Sequence, residues 1–89
     1  METRVALLSI IVENPAAASQ LNALLHVYGD FIIGRMGIPY REKNINIISI
    51  AMDAPQEVIS ALSGKIGKIE NVTVKTAYST VKSKGDIKE

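Results

Sequence analysis

The 89-residue sequence predicts a single α+β domain of order βαββαβ. Three observations carry that prediction. Two helical segments, each opened by a proline, lie between apolar strand-like runs, so one strand–helix–strand unit occurs twice. The first and third strand runs are apolar on both faces, as central strands are. The second run carries Arg35 and is followed by Pro39, and the fourth is polar on one face with Thr73, Lys75 and Ser79, as edge strands tolerate. Two such units interleave as a ferredoxin-like sandwich, a four-stranded antiparallel sheet with two helices on one face.

The elements follow in order. Strand one is expected over Arg4 to Glu13, with Ala6, Leu8, Ile10 and Val12 on one face and Val5, Leu7, Ser9 and Ile11 on the other. Asn14-Pro15 then provides an N-cap followed by a proline at the first helical position. The first helix runs from Pro15 to Tyr28, with an inward stripe of Ala17, Leu21, Leu24, Leu25 and Tyr28. Gly29 stops it, expected in a left-handed conformation. Strand two is expected from Phe31 to Gly37, with Phe31, Ile33 and Arg35 on one face and Ile32, Gly34 and Met36 on the other. Strand three spans Ile45 to Asp53. Its faces are Ile48, Ile50 and Met52 on one side and Ile45, Ile47, Ser49 and Ala51 on the other. Asp53-Ala54-Pro55 repeats the helix start, and the second helix turns Val58, Ile59, Leu62 and Ile66 inward, ending at Gly64 or Gly67. Strand four covers Val72 to Ser79. One domain therefore occupies residues 1–79, and residues 80–89 form a polar, lysine-rich tail expected to be disordered.

Composition excludes several function classes. Ten basic residues against nine acidic ones leave a net charge of +1, too little for a nucleic-acid or anionic-membrane face. There is no cysteine, which removes disulfides, thiolate metal sites and cysteine nucleophiles, and the lone His26 cannot build an imidazole metal site. No metal or cofactor is therefore expected. The apolar run near the start is short and broken by Glu13, Asn14 and Pro15, so it reads as a strand and not as a signal peptide. No run approaches the roughly 20 residues that span a bilayer. A soluble cytoplasmic protein is the expectation.

The pieces Tyr28-Gly29-Asp30, Gly34-Arg35-Met36-Gly37-Ile38-Pro39-Tyr40, Asp53-Ala54-Pro55, Ser60 to Lys65 and Val74 to Ser79 resemble a small family of regulators of the iron-only hydrogenase system. The resemblance covers Thr3 to Ser79. It implies an ACT-like ferredoxin-fold domain, related to the C-terminal effector domain of the nickel-responsive repressor, with a regulatory role. Two departures stand out. ACT domains that bind amino acids carry Asp-x-Pro-Gly after strand one, where this chain has Glu13-Asn14-Pro15-Ala16. Losing that glycine removes the close backbone approach to a ligand carboxylate. The repressor's nickel site needs several histidines and a cysteine, and its DNA-reading domain has no counterpart here.

The densest stretch is Gly29 to Lys43, where glycines, a proline, an aromatic and several charges crowd beside an apolar strand. Arg35, Gly37, Tyr40 and Arg41, with Asn14 at the loop that ACT domains use, form the candidate ligand-binding set. Guanidiniums present a fork of donors to carboxylate or phosphate. The competing reading is a hairpin that seals a subunit interface, with Arg35 paired to Glu13 or Asp30. For His26 a metal-ligand reading would need symmetry mates to supply the remaining ligands, and the competing reading is a solvated or capping side chain. Gly64-Lys65 and Gly67-Lys68 lack phosphate-loop spacing and end a helix where such a loop would open one.

Two helices cover only one face of a four-stranded sheet, so the other face is left open and apolar. Such a face marks a subunit interface. A homodimer or higher even-numbered homo-oligomer is expected, with Leu7, Ser9, Ile11, Met36, Ile38, Ile45, Ile47 and Tyr78 as interface residues. A small-molecule effector is the other expected partner, with no direct contact to nucleic acid or membrane. The enzymes and binding modules that share this fold need features this chain lacks. Acylphosphatases need an arginine in a glycine-rich loop after strand one, RNA-recognition modules need aromatics on the central strands, and metallochaperones need Cys-x-x-Cys. No catalytic residue is identified, since His26 has no recognisable Ser or Asp partner. A ligand-sensing regulatory module and a ligand-free assembly module both remain open at this point.

Overall fold

The computed structural model describes residues 2–80; the lysine-rich stretch from residue 81 onward lies outside them. The strands are β1 (Arg4–Val12), β2 (Ile32–Tyr40), β3 (Ile45–Ala54) and β4 (Val72–Tyr78), and the helices are α1 (Ala18–Val27) and α2 (Gln56–Gly67). They form one antiparallel sheet of order β2-β3-β1-β4 with both helices on one side, as the repeated unit predicts.

The core follows from the period-two pattern of the central strands. Ala6, Leu8, Ile10 and Val12 of β1 are sealed against Leu21 and Leu25 of α1 and Ile59, Leu62 and Ile66 of α2. Ile48, Ile50, Met52 and Ala54 of β3 continue the same layer. No polar or charged side chain is buried among the described residues.

The junctions show local chemistry. Asn14 caps the first helical segment: its side chain accepts from the Ala16 N–H at 3.0 Å, and Pro15 opens a tight turn, Pro15–Ala17, that leads into α1. Pro55 is the N-cap of α2, one residue earlier than a first helical position. Gly29 departs from expectation. No described glycine has a positive φ, and Gly29 instead starts a short 3₁₀ turn through Phe31 that leads directly into β2. The left-handed positions are Asn44 (φ 58°) and Asn71 (φ 67°), where asparagine replaces glycine at little cost.

β2 is longer than its sequence indicates and runs through Pro39, which pairs with Asn46. A proline fits because β2 is an edge strand and needs hydrogen bonds on one side only. The pairing with β3 slips between Ile32 and Gly34. This irregularity turns Ile33 outward (63% exposed) and puts Ile32 on the helix side with Arg35, correcting the simple alternation expected for Phe31 to Met36.

In α2, a β-carbon added at Gly64 would meet no atom within 4 Å. Gly64→Ala should therefore raise unfolding stability by about 0.5–1 kcal/mol, the ordinary Gly-to-Ala difference inside a helix. Urea denaturation measures it, and a decrease would contradict the open surroundings of this position.

Candidate functional site

Two features compete for the role of site: the open face of the sheet, and a cleft between α1 and β2.

The open face is laid out by register. Ile38, Ile47, Ile11 and Thr73 form one row across the sheet. Met36, Ser49, Ser9 and Lys75 form the next, followed by Gly34, Ala51, Leu7 and Ala77. Tyr40 and Ile45 lie beyond the first row, and Asp53 and Val5 beyond the last. Val5, Leu7, Ile11, Met36, Ile38, Tyr40 and Ile47 are each between 39% and 60% exposed. Small serines and alanines in the middle make the surface flat. Seven of the eight expected interface residues sit here. Tyr78 is elsewhere: it pairs with Ala6 on the helix side, accepts a hydrogen bond from the Gln56 side chain at 2.8 Å, and stacks under the Arg4 guanidinium 4.2 Å from its ring centre.

The expected ligand-binding residues are divided by the sheet. Asn14, Tyr40 and Arg41 gather at one end, because Val12 pairs with Asn46 and Asn46 with Pro39. Asn14 is occupied as a cap. The Tyr40 hydroxyl donates to the Glu42 carboxylate at 2.6 Å. That bond, and to a lesser degree lost hydration, raises the Tyr40 pKa above the ordinary tyrosine value. Gly37 pairs with Ile48 on the helix side of β2. Arg35 is on the same side, opposite Ile50, and reaches α1, where its Nη2 donates to Asn22 Oδ1 at 2.9 Å. Neither Glu13 nor Asp30 pairs with it. Arg35 and Tyr40 therefore point from opposite faces of the same strand.

Arg35 borders a cleft of about 310 Å³ lined by Asn22, Leu25, His26, Gly29, Ile32 and Arg35. Asn22 and His26 are one helical turn apart and share a face of α1. Sequence reasoning flagged Arg35 and His26 separately but not Asn22 or the cleft, because the contact joins a helix to an edge strand across a chain reversal.

A second groove, about 350 Å³, lies between the helices and is lined by Gln20, Ala23, Leu24, Val27, Lys65 and Ile69. Lys65 is engaged there, donating to the Tyr28 hydroxyl at 3.0 Å. Among the described residues no three His, Asp or Glu side chains cluster as metal ligands, and no helix is long and apolar enough to cross a membrane.

Comparison with known proteins places this geometry. A search of curated proteins gives no match. A solved structure described as uncharacterized protein TM1266 from Thermotoga maritima is similar, with a TM-score of 0.83 and 41% sequence identity. The match covers 86% of this chain and 98% of that one. A family model described as "TM1266-like: Iron-only hydrogenase system regulator, putative" matches residues 4–76. With residues 4–76 matched by the family model and 86% of the chain by the solved structure, the chain belongs to the TM1266-like family.

Proposed function

We propose that this chain is an ACT-like, non-catalytic regulatory module of an iron-only hydrogenase system, working in the cytoplasm. In this reading it acts as a homodimer or higher even-numbered homo-oligomer and responds to a small molecule. One observation carries the assembly: the half-exposed apolar grid on the open sheet face. The three strands that carry the apolar positions, β1, β2 and β3, at about 4.8 Å spacing and about 30 Å long, give roughly 430 Å² in projection, within the range of the largest apolar patches monomers expose. A second copy offers the same flat surface, so a two-fold interface would bury both at once.

Sedimentation velocity tests this directly. An even-numbered oligomer is expected at micromolar concentration, and a monomer at all micromolar concentrations would overturn the reading.

A second reading, an assembly module with no small-molecule ligand, draws support from the Tyr40–Glu42 bond. A carboxylate already holds the phenol, so an anion beside Tyr40 and Arg41 would meet a negative neighbour. Thermal-shift and calorimetric screens finding no ligand at millimolar concentration would favour it.

A further inference from the structure

We propose that the α1–β2 cleft binds a small carboxylate metabolite carrying a short apolar chain, with Arg35 as the anion-binding residue. This rests on the reading of the chain as an effector-responsive module, and it moves the ligand from the Tyr40–Arg41 end of the sheet to the helix side.

Four features converge. Arg35 has no carboxylate partner among the described residues; one Nη2–H donates to the neutral Asn22 amide oxygen. That bond fixes the guanidinium over the cleft and leaves further donors for a ligand, in the fork geometry that suits a carboxylate. The Asn22 side-chain amide, whose oxygen accepts from Arg35, retains N–H donors. His26, one turn along α1, adds an imidazole to the same lining. The apolar surface in the cleft is that of Ile32, half-buried against the core, with Leu25 sealed beneath it at 1% exposed. That surface gives an alkyl chain a place to lie beside the guanidinium. Gly29 lines the cleft without a side chain, and a β-carbon there would meet nothing within 4 Å. The cleft therefore stays open at that rim.

The apolar surface selects between anions. Phosphate is satisfied by the guanidinium alone, whereas a carboxylate with a few carbons also uses Ile32. Arg41 and Tyr40 are not involved, because Tyr40 ends β2 on the open face and Arg41 lies in the turn after it.

The test is a titration of the full chain by ¹H–¹⁵N correlation spectroscopy with butyrate, and separately with inorganic phosphate. Saturable shifts are expected with butyrate at millimolar concentration, centred on the amides of residues 22–35, and phosphate should bind more weakly. Arg35→Gln should weaken butyrate binding roughly severalfold, as loss of an exposed ion pair does. Arg35→Lys should recover part of it, and Arg41→Gln should leave it unchanged. Arg35 is exposed, so the spectra of these variants should keep native dispersion, which the same experiment verifies. Non-saturable shifts, shifts centred on residues 40–44, phosphate binding equal to butyrate, or unchanged affinity in Arg35→Gln would each overturn the proposal. Sedimentation of the same samples reports assembly independently, so an empty cleft and a failure to oligomerise are read apart.

Discussion

Leu8→Ala should lower the unfolding free energy by about 2–5 kcal/mol, the range for truncating a fully buried leucine. Leu8 has no exposed surface and lies in central strand β1, between Ile50 of β3 and Thr76 of β4. Both helices close over that side of the sheet, with Leu21, Leu25, Ile59 and Leu62 in the same buried core, so the vacated volume cannot collapse far. Domains of this size are stable by about 5–15 kcal/mol, so the loss is a large fraction of the whole. Ile11→Ala gives the contrast. Ile11 lies three residues along the same strand but on the open face, 40% exposed. In dilute monomer its truncation should cost well under half as much as Leu8→Ala. Equilibrium urea unfolding of both variants at low protein concentration makes the comparison. Equal losses would mean that the open face is already covered within one chain, contrary to the register described above.

That contrast also shows where the sequence was informative. The faces of β1 and β3 were legible because each strand alternates cleanly and a one-residue slip would exchange core and surface. The Asn-Pro start of the first helical segment was legible because its cap is a local bond between Asn14 and Ala16. The face of Arg35 was not. Counting by twos from Phe31 groups Phe31, Ile33 and Arg35, yet the irregularity between Ile32 and Gly34 puts Ile32 with Arg35 and sends Ile33 outward. Phe31-Ile32-Ile33 is apolar at every position, so nothing in its pattern reveals the slip. The Asn22–Arg35 bond and the Tyr78–Gln56 bond join elements distant in the chain, and only the folded arrangement brings them together. Tyr78 illustrates the cost of that limit: an aromatic on an edge strand reads as interface packing, yet its ring and hydroxyl are both engaged on the helix side.

If the open face joins subunits as proposed, Ile47→Glu should dissociate them while leaving the monomer folded. Ile47 sits in central strand β3 between Ile11 and Ile38, in the first row of the open grid, and is 39% exposed. In a single chain the new carboxylate reaches water, so the fold should lose little beyond a modest change in strand propensity. At a face-to-face interface the same carboxylate would be buried among isoleucines with no cation opposite it. The one lysine in these rows, Lys75, stands in the next row at the far edge on β4. Leaving an ionised group desolvated and unpaired costs several kcal/mol, and a two-fold interface contains the substitution twice. Each 1.4 kcal/mol is a factor of ten in the dissociation constant, so assembly should weaken by at least about a thousandfold. Sedimentation velocity, with circular dichroism to establish that the chain remains folded, reads both halves of the expectation. A folded Ile47→Glu variant that stays oligomeric would move the interface off the open face. The edges of β2 and β4 would then be the surfaces left to join subunits, since each carries unpaired strand backbone along one side.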